Sequence, residues 1–365
     1  MRHIYANAFN LISGIGPQKL HLLWEYFGDF EKAWNADETE LKNAKISPKL
    51  IENIKNIQKT INPKKEYKKL QDNDIEIITI NDKDFPQNLR SITSTPFLLY
   101  VRGNKKLLNS PSIAVVGSRK ISDYGNHAIS TIIRDVAQSN ITIVSGLALG
   151  TDALAHREAL DVGGKTIAVL GGGIDDATIT PRSHINLAKQ ILDSGGTIIS
   201  EYPMSTEPNR GTFPARNRIM AGLSDATIII EATAKSGTLI TAEHAHKFER
   251  KLFALPGSIF TTNSLGPNML IRDKNAIPLL CADDILQNFK NTKKSKSTGR
   301  TCPSTTLSGH QKTLYETIKK HPEGANINTI IKASGLDGAT ISSELTMMEI
   351  DGVVKNIGNQ TYITI

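Results

Sequence analysis

The chain of 365 residues carries 43 Lys and Arg against 36 Asp and Glu, a formal net charge of +7. Its hydrophobic content of 39% excludes a disordered chain, and its length suggests two or three domains of about 100–200 residues each. The positive excess fits a polyanionic partner and fits an ordinary basic enzyme equally well. No run of about 20 apolar residues is available to span a bilayer. The opening stretch, MRHIYANAFNLISGIGP, is broken by polar residues too often for a secretory signal, so the expected location is the cytoplasm, away from membranes. Cys281 and Cys302 are the only cysteines, too few and too badly placed for a disulfide framework or a zinc cage.

Residues 1–71 read as a small helical domain, with Leu20, Leu23, Trp24 and Phe27 at helical spacing. Within it, Gly14-Ile15-Gly16-Pro17 supplies the paired glycines of a tight turn between two short helices. Such a helix-hairpin-helix can offer backbone N–H groups to a phosphate or simply close a packing turn. Both readings stand open at this point. From residue 72 to 290 the pattern changes to short apolar runs separated by amphipathic stretches. Ile113–Gly117, Ile141–Gly146, Lys165–Leu170, Gly196–Ser200, Ala226–Glu231 and Leu252–Leu255 are rich in β-branched residues and nearly continuous in hydrophobicity. They predict an α/β core, an extended Rossmann-like parallel sheet covered on both faces. Ile75–Ile80 and Phe97–Val101 add strands at one edge. Residues 291–306 hold Lys293, Lys294, Lys296 and Arg300 without an acidic residue and read as a basic flexible linker. Residues 307–365 show helical stretches around Leu314, Ile318, Ile330, Ile331, Ile341 and Leu345. They close on Gly352-Val353-Val354 and Thr361-Tyr362-Ile363, which predicts a winged-helix domain for DNA or for a protein partner.

In an open parallel sheet, ligands gather beyond the carboxyl ends of the strands. The first core run leads into Gly117-Ser118-Arg119. Glycine permits a sharp turn there, Ser118 and the following helix start offer donors, and Arg119 supplies a fixed positive fork. Later exits carry Ser145-Gly146 through Asp152, then Gly171-Gly172-Gly173-Ile174-Asp175, then Ser200-Glu201-Tyr202-Pro203. The last of these is followed by Arg210-Gly211-Thr212-Phe213-Pro214-Ala215-Arg216-Asn217-Arg218, and the next exit holds Ser236-Gly237-Thr238. One such loop is weak evidence; several on one edge point to an extended anionic ligand. The first loop is neither GxGxxG nor a P-loop, so no dinucleotide cofactor and no hydrolysed nucleoside triphosphate is expected. Nor is there a GxSxG nucleophile elbow. His244 and His246 lie two apart, point in different directions on a helix and cannot jointly hold a metal. They read as surface or packing residues, and Asp175 and Asp176 as a solvated loop tip.

Several of these pieces, in this order, resemble the DNA-processing protein A family (DprA, also called Smf). They are Gly117-Ser118-Arg119 through Tyr124-Gly125, Ser145 through Asp152, Gly171 through Asp175 and Ser200-Glu201-Tyr202-Pro203. Phe213-Pro214-Ala215-Arg216-Asn217-Arg218-Ile219, Ser236 through Ala242, Pro256-Gly257 and Asn268-Met269-Leu270-Ile271 complete them. The resemblance implies a helical N-terminal part, a Rossmann core and a winged-helix tail. It implies a homodimer formed through the core, which binds single-stranded DNA taken up in natural transformation. That strand would pass to the RecA recombinase, with single-strand binding protein displaced or working alongside. Carried over by position, the DNA site falls on Arg119, Arg210 and Phe213, with Ser236 and Thr238 nearby and Gly117, Ser118, Arg216, Asn217 and Gly237 completing it. Arg210 stands where the family often has lysine; the charge is kept, and the planar fork grips a phosphate differently. Two stretches depart from the family pattern. Asp176 through Pro181 is longer than usual and lacks a tyrosine, with His184 in place of an asparagine, and Asp273-Lys274-Asn275-Ala276 replaces a small Gly-Ala turn.

The main rival is an enzyme, a nucleoside-monophosphate phosphoribohydrolase on the same Rossmann variant. There a Gly-Gly-x-Gly-Thr loop precedes a catalytic glutamate by a few residues. Here Glu243 follows Thr238 by five positions, which turns its carboxylate by more than a full helical turn. A regulator reading duplex DNA would need Arg or Asn on its recognition helix, and the tail offers few. The expectation is therefore a DNA-binding protein without catalysis, metal or cofactor.

Overall fold

The structure, a computed structural model, describes residues 2–289, 309–321, 324–350 and 353–364. Local signals dictate the first helices: α1 (Arg2–Asn10), α2 (Pro17–Phe27), α3 (Phe30–Asn35), α4 (Glu38–Asn43), α5 (Pro48–Thr60) and α6 (Pro63–Gln71). Pro17, Pro48 and Pro63 each occupy a first turn, where a missing N–H leaves no hydrogen bond unmade. Asp29, Asp37 and Asn62 cap helices with their side chains. The Gly14 turn has φ +92, open to glycine, and Ile15 behind it is buried.

Nine strands follow: β1 (Ile75–Thr79), β2 (Leu98–Gly103), β3 (Ser112–Val116), β4 (Thr142–Ser145), β5 (Thr166–Leu170), β6 (Thr197–Ser200), β7 (Ala226–Ile229), β8 (Lys251–Ala254) and β9 (Ile277–Pro278). They form one sheet in the order β1-β2-β6-β5-β4-β3-β7-β8-β9. Strands β3 to β9 pair in parallel, while β2 is antiparallel to both β1 and β6. Side chains alternate between two buried layers: Leu98, Tyr100, Ala168 and Ile198 enter one, and Leu99, Val101, Val169 and Ile199 the other. Between the strands lie α7 (Gln87–Arg90), α8 (Asp123–Gln138), α9 (Thr151–Asp161), α10 (Ile185–Asp193), α11 (Thr212–Leu223), α12 (Thr238–Lys247) and α13 (Leu265–Arg272), with α14 (Asp283–Leu286) after β9. Helices α9 and α10 cover the first layer, and α11 and α12 the second.

The N-terminal helices share the first layer. Phe9, Phe30 and Trp34 form an aromatic cluster that Phe97, just before β2, enters edge-on at 5.1 Å from Phe30. Residues 2–71 and the sheet thus belong to one compact unit. The second unit holds α15 (Gly309–Lys319), β10 (Ala325–Asn326), α16 (Ile327–Ser334), α17 (Gly338–Ile350), β11 (Val354–Asn356) and β12 (Thr361–Thr364). Its sheet runs β10-β12-β11, all antiparallel, over Leu314, Ile330, Ile341 and Leu345. The expected linker at 291–306 lies outside the described residues. Cys281 is disulfide-bonded, where the cysteine positions gave no expectation of a bridge; Cys302 lies outside the described residues. Among the described residues no helix is long and apolar enough to cross a membrane.

Strand order creates the site. From β3 the chain steps outward through β4, β5 and β6, then returns to place β7 on the other side of β3. The exits of β3 and β7 therefore diverge, which opens a crevice at the carboxyl edge.

Candidate nucleic-acid interface

A pocket of about 450 Å³ occupies that crevice. Its wall carries Gly117 and Arg119 from the β3 exit, and Arg210, Phe213, Arg216 and Asn217 from the approach and first turns of α11. Ser236, Gly237 and Thr238 from the β7 exit complete it. Ser118 stays out of the lining. Its hydroxyl donates to the Lys120 carbonyl at 2.9 Å and accepts the Lys120 N–H at 3.1 Å, which closes the turn.

Arg119 and Arg210 are exposed, and neither forms an ion pair among the described residues. Arg119 does not turn to Asp123; its guanidinium lies 5.5 Å from the centre of the half-buried Phe213 ring. Gly171 leaves the ring room, because a Cβ there would lie 3.1 Å from Phe213 Cδ1 and press the ring aside by a few tenths of an ångström. The pocket mouth is thus cationic and aromatic at once.

Arg216 behaves differently. It is only 5% exposed, and its Nη1 donates to the carbonyls of Gly146, at 2.7 Å, and Val169. Nε reaches Asn217 Oδ1 at 3.2 Å, while Nη2 has no hydrogen-bond partner among the described residues. Burial pulls its pKa below the ordinary value, against the attraction of Asp152. Asp152 is pushed up by the same burial, while Arg216 and the N–H groups of Ala148 and Gly146 pull it back. The Asp152 carboxylate accepts the Gly146 N–H at 3.1 Å. Arg216 is therefore the floor of the pocket and a clamp on the ends of β4 and β5.

The glycines have a related role. A Cβ at Gly146 would come within 2.0 Å of Arg216 Nη1, one at Gly117 within 2.5 Å of Thr151, and one at Gly150 within 2.4 Å of the Ser118 carbonyl. Gly150 also has φ +73. At these exits the sequence suggested sharp turns, and the structure adds a close approach of loop against loop. Gly237 faces open space. Thr238 ties the two exits together, its hydroxyl donating to the Gly117 carbonyl at 3.1 Å. Ser236 caps it from behind, accepting the Thr238 N–H at 3.2 Å.

Residues that composition had made candidates fall elsewhere. Glu243 is exposed and outside the pocket lining. His244 stacks on Phe248 at 5.6 Å, and His246 is exposed. No cluster of metal-ligating side chains exists among the described residues. Asp175 is not a solvated tip: it is 8% exposed and accepts the Ser205 N–H at 2.8 Å and the Thr178 hydroxyl at 3.1 Å. Asp176 pairs with Arg102 at 2.6 Å, and the buried His184 donates Nδ1–H to the Leu147 carbonyl at 2.8 Å. The unusual loop is thus tied to neighbouring segments at Arg102, Leu147 and Ser205.

Comparison with known proteins agrees with this architecture. The sequence model of a family described as DNA recombination-mediator protein A matches residues 76–290. Protein Smf of Synechocystis is 34% identical over 98% of both chains. Protein Smf of Escherichia coli is 41% identical over 59% of this chain and 56% of its own. The X-ray structure of DNA processing protein A from Streptococcus pneumoniae matches with a TM-score of 0.68 at 33% identity, covering 79% of this chain and 98% of that one. DNA processing protein A from Helicobacter pylori, whose structure addresses its single-stranded DNA binding mode, matches with a TM-score of 0.53 at 30% identity, covering 59% of this chain and 98% of that one. With the core matched by the family model and a relative aligned from end to end, the chain belongs to the DNA recombination-mediator protein A family.

Proposed function

We propose that this protein binds single-stranded DNA without sequence preference and delivers the strand to the RecA recombinase during natural transformation. One observation carries the binding: Arg119 and Arg210, exposed and without an ion pair among the described residues, line with Phe213 one pocket at the switch point of the sheet, with Arg119 over the ring. Arginines take phosphates through charge-assisted hydrogen bonds. An aromatic face accepts any base, because every base has a π-face. Family membership supports the partners, which are RecA, single-strand binding protein and a second copy of the chain, as well as a cytoplasmic site of action. The helix–strand–helix–helix–strand–strand order of the tail supports a winged helix. The hydrolase alternative needs a free carboxylate at the pocket. Glu243 is outside it, and Asp152 is held by backbone N–H groups.

The test is a pair of measurements on the full chain. Gel shifts across a salt series should show tighter binding of single strands than of blunt duplex, falling steeply with salt. RecA filaments should nucleate sooner on strands coated with single-strand binding protein when this protein is added. Equal or better duplex binding overturns the first claim, and an unchanged lag overturns the second.

A further inference from the structure

A second pocket, of about 650 Å³, lies in the same compact unit where the N-terminal helices meet the sheet. Small-molecule sites run from roughly 300 to 1,000 Å³, so the volume is that of a real ligand site. Helix α11 divides it from the first pocket. Phe213, Pro214, Arg216 and Asn217 line the first, whereas Ala215 and Arg218 line the second. Successive helical side chains point about 100° apart, so the two cavities flank the same turns of one helix.

The chemistry of the second pocket differs from that of the first. Rings of His21 and Tyr202, with Pro17 and Pro203, give it flat walls. Its polar floor is an ion pair: Arg218 Nη2 donates to both Glu201 oxygens, at 2.6 and 2.5 Å, with side chains 11% and 10% exposed. That pair is neutral, so the floor offers no net charge to a phosphate. Yet Arg218 Nη1 is buried without a hydrogen-bond partner among the described residues. An orphaned donor of this kind is destabilising unless an acceptor meets it. Flat walls, an unmet donor and no net charge match an uncharged planar ring with acceptor atoms on its edge.

We propose that this pocket receives a nucleobase of the same DNA strand, beyond the point where the strand crosses the first turns of α11. The inference rests on the single-stranded DNA reading above. The Gly14–Pro17 turn then contributes wall, through Gly16 and Pro17, rather than a phosphate clamp.

The test fills the second pocket from two sides without touching the first. Gly16 has open space where a Cβ would go, and Thr93 is exposed, so Gly16→Phe and Thr93→Trp are both tolerable. An oligonucleotide of about 6 nucleotides should bind both variants as it binds the wild type, while one of about 20 should lose about tenfold in affinity. Iodouracil placed along the longer strand should photo-cross-link to Tyr202 in the wild type and not in the filled variants. Folded variants that keep the whole advantage of the longer strand, or a wild type that never cross-links at Tyr202, overturn the proposal. If the short strand binds the wild type and Phe213→Ala equally, it is the single-stranded DNA site itself that fails.

Discussion

Arg119 and Arg216 line one pocket, yet their guanidinium groups do different things. Arg119 is solvated and, among the described residues, its guanidinium meets only a ring face, so its charge remains available to a phosphate. Arg119→Ala or Arg210→Ala should weaken single-strand binding and make its salt dependence shallower by about one phosphate contact. Phe213→Ala should cost about 1–3 kcal/mol of binding and leave the salt slope unchanged. Wild-type affinity in all three across a salt series would move the site elsewhere. The buried His156, near Arg216, gives a stability prediction. The Thr166 hydroxyl donates to the Ile143 carbonyl, so His156 Nδ1 must donate to Thr166, and Nε2 is left buried without a partner among the described residues. Burial, with His184 and Arg216 nearby, pulls its pKa from 6.5 to about 3. Below pH 6.5 the unfolded chain takes a proton that the folded chain refuses until about pH 3. Stability is therefore complete above that window and is lost as the pH falls through it, by at most about 1.4 kcal/mol per pH unit. His156→Gln should flatten the dependence of the urea midpoint between about pH 6 and pH 4; an unchanged slope would assign the acid sensitivity to other groups.

At the scale of elements, one side chain of α11 holds the ends of β4 and β5 together. Arg216→Met leaves two carbonyls unmet, at about 1–3 kcal/mol each when buried. Thermal unfolding should report a loss of about 2–4 kcal/mol, while Arg119→Ala should unfold like the wild type. An Arg216→Met protein as stable as the wild type would deny the clamp. Much of this level was legible in the residues. Runs such as Ile113–Gly117 are β-branched and bounded by turns, and a parallel sheet puts all its exits on one edge. That rule lets Gly117, Arg210 and Ser236 meet in one pocket, while the family resemblance singled them out among the exits. Strand β9 was not legible, because Ile277-Pro278 is two residues long and exists only through its pairing with β8. The role of the glycines was ambiguous for a physical reason. A missing Cβ reads the same whether it admits a phosphate or, as at Gly117, the side chain of Thr151. Asp175 was misjudged because its principal donor, the Ser205 N–H, is 30 positions away in sequence.

The whole molecule sets the last expectation. The C-terminal unit has its own buried cluster around Leu314, Ile330, Ile341, Leu345 and Met348, and its own three-stranded sheet. The pocket, by contrast, is built entirely from residues between Val116 and Thr241. A chain ending at residue 289 should therefore fold, unfold cooperatively and keep most of its single-strand affinity. A chain ending at residue 306 adds the basic stretch with Lys293, Lys294, Lys296 and Arg300 together with Cys302, so its comparison with the shorter chain is made under reducing conditions. If those cations meet the backbone, the longer truncation should bind with a steeper salt dependence, by about 0.7 in slope for each phosphate engaged on a single strand. Equal slopes would make the stretch a spacer. An insoluble shorter chain, or one that no longer binds DNA, would mean that the C-terminal unit completes the site.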